Sequence, residues 1–139
     1  MPMTRLCSRL FLGGLKDAER LATANPEGIT AVISLCAAAE VVSRGHDIEY
    51  VHIPLDDSRP ISRPQFEAVM TAIAAHIRNG KVLLHCVGGM SRSPIFAAAW
   101  MHRVGYLHIE SALLEIAELR PMIDPSLVLL KSVTEHLNR

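Results

Sequence analysis

The sequence predicts a single-domain α/β sandwich in which helices flank a mostly parallel central sheet. Short apolar, β-branched runs alternate along the chain with segments whose apolar residues recur at helical spacing. Glycine, proline and asparagine clusters separate these segments, and no repeat or low-complexity tract interrupts them. The 139 residues suit one compact domain, so residues 1–139 are expected to form one functional unit.

Four segments have the composition of strands. The first strand is followed by Gly13-Gly14, and the third stops at Pro54, because proline has no N–H for a sheet ladder. The fourth strand, Lys81–His85, is a short apolar run that ends before Gly88 and Gly89. In chain order the predicted strands are Arg9–Leu12, Ile29–Leu35, Ile48–Ile53 and Lys81–His85.

Five segments have helical patterns. The cluster Asn25–Gly28 ends the first of them, and Asn79-Gly80 ends the second. A further helical turn is predicted at Glu40–Arg44, and the polar segment Asp56–Ser62 is predicted to be a surface loop. In chain order the predicted helices are Lys16–Ala24, Pro64–Arg78, Ser93–Arg103, Ile109–Leu119 and Ser126–Leu137.

Composition excludes several classes of function. Acidic and basic residues balance at 14 each, so no broad nucleic-acid-binding surface is expected. The three cysteines are too few for a secreted disulfide framework, which predicts a reducing, cytoplasmic location. No apolar segment is long enough to span a membrane, and no signal-peptide pattern is present. The histidines are scattered without zinc-motif spacing, so no metal or other cofactor is expected.

The segment His85–Pro94 joins a predicted strand to a predicted helix and carries the chemistry. Cys86 comes where the strand ends, and two glycines permit a tight loop whose N–H groups point inward. The helix that follows presents its positive dipole end to this loop, and Arg92 lies at its start. Such an anion nest favours a thiolate and suits a phosphate dianion, which a planar guanidinium binds through two oxygens.

His-Cys, five residues, Arg and Ser, as found in His85–Ser93, resembles the signature loop of the protein tyrosine phosphatase superfamily. The continuation Ser91-Arg92-Ser93-Pro94 resembles its dual-specificity branch. Weaker similarities extend over nearly the whole chain, at Leu10–Gly13, Ile29–Leu35, Ile53–Asp57 and Arg120-Pro121. The resemblance implies the cysteine phosphatase fold, a dual-specificity phosphatase-like catalytic domain over 1–139, and chemistry that needs no metal.

The resemblance also implies a role for each residue of the loop. Cys86 attacks phosphorus and forms a phosphocysteine intermediate, while Arg92 binds the phosphoryl oxygens and stabilises the transition state. Ser93 assists the cysteine as leaving group, although serine also suits a helix N-cap. The remaining loop residues are expected to form the phosphate-binding cradle, with Ser91 as a loop-shaping hydroxyl: Val87, Gly88, Gly89, Met90 and Ser91.

Outside the loop, the general acid is expected in the segment after Pro54. Asp57 matches the family's acid position, and Asp56 is the adjacent rival. His85 is expected to hold the loop and tune Cys86 by hydrogen bonding. Cys36, at the end of another predicted strand, is either a redox partner that protects Cys86 or a small core residue.

One segment departs from the family pattern. In many dual-specificity members the late Arg-Pro segment ends in Pro-Asn, whereas this chain reads Asp124-Pro125-Ser126. The loop-bracing hydrogen bond that the asparagine usually makes is therefore expected to be absent or replaced by Ser126.

The expected reaction is hydrolysis of phosphotyrosine in a protein or peptide, with phosphoserine and phosphothreonine open as additional substrates. A non-protein phosphate ester is the first alternative: a phosphoinositide, an RNA 5′-phosphate or a metabolite. The uncharged residues 87–91 weaken the phosphoinositide option, since relatives acting on such lipids tend to carry lysines there. A phosphate-binding pseudophosphatase is the second alternative. The sequence leaves the oligomeric state open.

Overall fold

The computed structural model describes residues 2–37, 47–105 and 107–138. The strands in these ranges are β1 (Thr4–Arg5), β2 (Leu10–Gly13), β3 (Ala31–Ser34), β4 (Glu49–His52) and β5 (Val82–His85). The helices are α1 (Leu15–Arg20), α2 (Arg63–Ile77), α3 (Arg92–Gly105), α4 (Ile109–Leu119) and α5 (Leu127–Leu137).

The strands form one sheet in the order β1-β2-β5-β3-β4. Only the short β1 runs antiparallel to its neighbour, so the predicted mostly parallel sheet is confirmed. The register places Gly13 and Ser34 on either side of His85. The carboxyl ends of β2, β3 and β5 therefore meet at one edge, which is where open α/β sheets bind ligands.

Helices cover both faces of the sheet. Alternate strand residues such as Leu83 pack with Ala18 and Leu21 on the α1 side. The other strand residues, including Leu84, pack in a larger core with α2 to α5. On α3, Ala97–Ala99 are fully buried, and these small side chains let the helix approach the sheet closely. This packing holds the first turn of α3 at the carboxyl end of β5.

Most predicted elements are confirmed, and their ends shift for local reasons. The first helix stops at Arg20 rather than Ala24, because the next residues form tighter bonds such as Thr23 N–H to the Arg20 carbonyl. The two-residue β1 was not predicted. The predicted turn at Glu40–Arg44 lies outside the described residues. Within the described ranges no helix combines the length and apolar character needed to cross a bilayer.

Candidate active site

Cys86 follows β5 directly and is 2% exposed. Residues 86–91, here called the signature loop, connect β5 to α3. The Cys86 Sγ lies 3.3 Å from the hydroxyl of Ser93, which is buried in the first turn of α3. Because α3 begins at Arg92, Ser93 lies within the helix and is not its N-cap. The hydroxyl that is expected to assist Cys86 as leaving group lies next to its sulphur, and that role stays a prediction.

The backbone carbonyls of the signature loop point outward. Each of the six is contacted from outside the loop at 2.6–3.5 Å. In a planar trans peptide the next residue's N–H points opposite to the carbonyl, so the N–H groups of 87–92 point into the loop. From Cys86 to Ser91, the six carbonyls are contacted in turn by His85 Nδ1, Leu15 N–H, Arg120 Nη2, Arg120 Nε, Asp124 N–H and Ile95 N–H.

Gly89 is required by the loop's geometry. Its φ is +69°, a conformation that other residues rarely adopt. A Cβ added there would lie 2.7 Å from Arg120 Nη2 and 2.8 Å from the Gly13 carbonyl. Gly88 differs, because a Cβ would meet only the flexible Met90 side chain, at 3.4 Å or more. Of the two predicted loop glycines, backbone conformation therefore requires Gly89.

Arg120 braces the loop from behind, a role that the sequence did not indicate. It is 1% exposed, and its Nε donates to the Gly89 carbonyl at 3.1 Å. Its Nη1 donates to the Pro2 carbonyl and the Thr4 hydroxyl. The sequence marked Arg120-Pro121 only as a boundary before the last helix. Nothing near Arg120 in the sequence marked this role, because its burial and its distant partners depend on the fold.

Arg92 links three parts of the site. Its Nη1 donates to the Leu55 carbonyl at 3.1 Å and contacts the Leu35 carbonyl at 3.4 Å, so the acid-loop segment and the end of β3 orient the guanidinium. Its Nε is buried and has no hydrogen-bond partner among the described residues. A buried N–H left unpaired is costly, and a phosphoryl oxygen in the loop would supply its acceptor.

Asp57 is held against the signature loop. The Ser91 hydroxyl donates to Asp57 Oδ1 at 2.5 Å and accepts from the Ser126 N–H at 2.8 Å. The backbone of Ser126 thus takes part in bracing the loop, while its side chain caps α5 by accepting from Leu129 N–H. The loop contact therefore comes from the backbone of Ser126, which any residue except proline could supply, and not from the side chain that stands in place of the asparagine.

Asp56 makes different contacts from its neighbour. Its Oδ1 accepts from both the N–H and the hydroxyl of Ser58 at 2.8 Å, and Arg59 lies 3.5 Å from its Oδ2. The pKa of Asp56 is lowered mainly by the hydrogen bond from the Ser58 N–H, and then by the one from the Ser58 hydroxyl. The positive charges of Arg59 and Arg92 lower it further. Asp56 is therefore a carboxylate at neutral pH and folds the exposed turn.

His85 and Cys36 lie together beneath the loop. The His85 ring is fully buried, with Nδ1 3.1 Å from the Cys86 carbonyl and 4.0 Å from the Cys36 Sγ. The expectation that His85 holds the loop by hydrogen bonding agrees with this position. Cys36 is also fully buried, and its carbonyl lies 2.7 Å from His52 Nε2. Its role as a redox partner of Cys86 stays a prediction.

Together these residues form a cradle for a tetrahedral dianion above a thiol. Inward N–H groups and a buried guanidinium donor supply positive potential, while Cys86 lies in the same loop. A carboxylate and two hydroxyls are within the same network. Such a site can bind a phosphate ester, place phosphorus next to sulphur, and supply a proton to a leaving oxygen.

Comparison with known proteins identifies the family of this chain. The profile of the dual specificity phosphatase catalytic domain matches residues 10–139. The chain is 26% identical over 126 residues to dual specificity protein phosphatase 22-A of Danio rerio, covering 89% of this chain. It spans 60% of that protein's length.

Solved structures show the same fold. The crystal structure of DUSP15 has a TM-score of 0.86 and 26% identity, covering 98% of this chain and 87% of that one. PTPMT1 in complex with PI(5)P has a TM-score of 0.80 at 19% identity, covering 98% and 94%, and this likeness extends to the fold alone. On the match over residues 10–139, this chain belongs to the dual-specificity phosphatase branch of the protein tyrosine phosphatase superfamily.

Proposed function

We propose that the chain, as one catalytic domain over residues 1–139, hydrolyses phosphotyrosine in proteins through a phosphocysteine on Cys86. Phosphoserine and phosphothreonine are additional candidate substrates. The single observation that carries the proposal is the outward orientation of all six signature-loop carbonyls around a buried thiol. That arrangement gives an anion a ring of N–H donors next to a nucleophile.

In the proposed first step, the Cys86 thiolate attacks phosphorus and the bond from phosphorus to the leaving oxygen breaks. Asp57 gives its proton to that oxygen, so the leaving group departs as a neutral alcohol or phenol. Arg92 and the loop N–H groups bind the three equatorial oxygens, on which negative charge is spread in the transition state.

In the proposed second step, water attacks phosphorus and the bond from sulphur to phosphorus breaks. Asp57, now a carboxylate, accepts the proton from water, and inorganic phosphate is released. The Ser93 hydroxyl, 3.3 Å from Sγ, donates a hydrogen bond to the departing thiolate. The two steps return Asp57 to its protonated form and Cys86 to its thiolate.

A protein substrate is favoured over a multiply charged lipid by the loop itself. The exposed side chains of the signature loop, Val87 and Met90, are apolar and are 51% and 44% exposed. They suit the apolar part of a phosphorylated residue and offer no charge to a second phosphate on an inositol ring. The solved complex of PTPMT1 with PI(5)P is the observation that keeps a lipid ester as the second candidate.

The proposed reaction is tested by trapping the intermediate. The protein is mixed with an aryl phosphate and a metal chelator, quenched in acid, and digested for mass spectrometry. The peptide containing Cys86 is expected to carry phosphate, and Ser93→Ala is expected to increase the trapped fraction, because the thiolate then leaves more slowly. Phosphate on another residue, or activity that the chelator abolishes and a divalent cation restores, would contradict the proposal.

The assignment of the acid is tested by a leaving-group series. Asp57→Asn is expected to lower kcat for phenyl phosphate by about 100-fold or more, and to change little for an aryl phosphate whose leaving group needs no protonation. Asp56→Asn is the matched control at the neighbouring position. It is expected to stay within a few-fold of wild type for both esters, since Asp56 is bound to Ser58. The reverse pattern would assign the acid to Asp56.

A reducing, cytoplasmic location belongs to the same proposal. The structure has Cys7 and Cys86 as free thiols. The proposed nucleophile works only as a thiolate, and glutathione and thioredoxin maintain that state in the cytosol. Alkylation of intact cells followed by mass spectrometry is expected to find Cys86 reduced.

A further inference from the structure

A cavity of about 530 Å³ lies beside the signature loop, between that loop and α1. We propose that it is a substrate subsite, which binds an acidic side chain next to the phosphorylated residue of a peptide. This inference rests on the proposed protein phosphatase function. The cavity is lined on the loop side by Val87, Gly88 and Met90, and on the helix side by Lys16, Asp17 and Arg20.

The cavity has more cationic than anionic groups. Lys16, Arg20 and Arg120 line it, against the single carboxylate of Asp17, which leaves an excess of two positive charges. Lys16 and Arg120 form no ion pair with the part of the chain that the structure describes. Arg120 is nearly fully buried, and its hydrogen bonds go to uncharged carbonyl and hydroxyl oxygens. An uncompensated guanidinium in a cavity wall favours an anion there.

The carboxylate of Asp17 is already committed to the protein. It is 7% exposed, and its Oδ2 accepts from Gly14 N–H at 2.9 Å. Its Oδ1 lies 3.4 Å from Arg20 Nη1. Asp17 therefore shapes the turn before α1 and partly offsets Arg20. The ammonium of the exposed Lys16 is the cation that stays available to a ligand.

The position of the cavity specifies which part of a substrate reaches it. Val87 and Met90 belong both to the cavity wall and to the loop that would enclose the reacting phosphate. An extended peptide covers about 10 Å in three residues, so we place the acidic side chain one to three positions from the phosphorylated residue. The mixed lining of apolar and cationic side chains suits glutamate, which combines a short apolar stem with a carboxylate.

The charge distribution favours a peptide over an inositol lipid. The cations lie on one side of the loop, while residues 87–91 of the loop itself carry none. A polyphosphorylated ring would find no cation among these loop residues to bind a second phosphate. A peptide with one acidic flanking residue matches a single cationic subsite.

The test uses phosphotyrosine peptides in which glutamate or glutamine occupies each position from three before to three after the phosphotyrosine. At one or two positions we expect glutamate to raise kcat/KM about 10-fold over glutamine, as one charge-assisted contact provides. Lys16→Glu is expected to reduce that ratio to one or below. Lys131→Glu, an exposed lysine on α5, is the matched control and is expected to keep the wild-type ratio.

Two further measurements separate the subsite from the phosphatase proposal. Aryl phosphate hydrolysis reports the reaction alone: if it proceeds while every glutamate-to-glutamine ratio equals one, the subsite is wrong and the phosphatase proposal stands. Binding of the same peptides to Cys86→Ser measures the preference without turnover, so the subsite is tested even if hydrolysis fails. A preference that survives both Lys16→Glu and Arg20→Gln would overturn the assignment. So would hydrolysis of phosphoinositide vesicles that exceeds every peptide and depends on Lys16.

Discussion

Cys86→Ser is expected to abolish turnover of an aryl phosphate while leaving the binding of a phosphotyrosine peptide intact. An alcohol ionises far less readily than a thiol, and the described contacts of Cys86 provide no base that would activate a serine. Loss of the nucleophile in a covalent mechanism lowers kcat by about 10⁶-fold. The inward N–H groups and Arg92 stay in place, so calorimetry with a non-hydrolysable phosphonate analogue of the peptide is expected to give a dissociation constant within a few-fold of wild type.

The matched control is Cys7→Ser, which makes the same atomic change at an exposed thiol. It is expected to retain full activity, because Cys7 lies outside the signature loop. Residual turnover in Cys86→Ser that scales with protein concentration and resists further purification would contradict covalent catalysis by Cys86. Loss of both turnover and peptide binding, in a variant that melts like wild type, would instead show that the thiol is needed to shape the loop.

The sequence predicted those strands, helices and site residues whose signals lie within a short stretch of the chain. The run Val82–His85 lies between Gly80 and Gly88, and it forms the central strand. Ile109–Leu119 has an uninterrupted helical spacing and its predicted ends are confirmed. The nucleophile candidate was found because cysteine, glycines and arginine occur within one short loop. Such signals lie within a few residues, where periodicity and turn chemistry act directly.

The hydrogen bonds that support the signature loop could not be predicted from local patterns, because most of their donors lie far away in the sequence. Leu15 and Asp124 donate through their N–H groups to the Val87 and Met90 carbonyls. Any residue except proline has that donor, so no side-chain type marks these positions. Arg120 has a distinctive side chain, but its partners Gly88 and Gly89 lie about thirty positions earlier. Only the packing of α3 against α4 and the sheet brings them together.

The sequence favoured Asp57 over Asp56 only through the family resemblance, and not through the chemistry of the two residues. The two residues are adjacent and chemically identical, and both follow the same strand. The structure separates them by partner: Asp56 binds Ser58 two residues ahead, as aspartates in turns do, whereas Asp57 meets Ser91 on the signature loop. A long-range contact therefore distinguishes the candidate acid from a turn residue.

Arg92→Lys is expected to lower kcat/KM for an aryl phosphate by about 1,000-fold, although the positive charge is kept. Arg92 is fixed through Nη1 by the Leu55 carbonyl, while its buried Nε has no hydrogen-bond partner among the described residues. Lysine presents a single ammonium that cannot hold that carbonyl and bind two phosphoryl oxygens in one plane. An arginine that stabilises a phosphoryl transition state raises kcat by about 10³- to 10⁵-fold. We expect the planar shape of the Arg92 guanidinium, rather than its charge, to supply most of that factor.

The comparison that isolates this geometry is Arg103→Lys, the same change in the last turn of the same helix. Arg103 lies over the Phe66 ring and 3.7 Å from Glu67, in contacts that do not involve the signature loop. It is expected to leave kcat/KM near the wild-type value and to alter only thermal stability. If Arg92→Lys kept activity within ten-fold of wild type, charge alone would suffice and the bidentate role would be wrong. Because Leu55 begins the segment that carries Asp57, Arg92→Lys is also expected to weaken the dependence of rate on the leaving group's need for a proton.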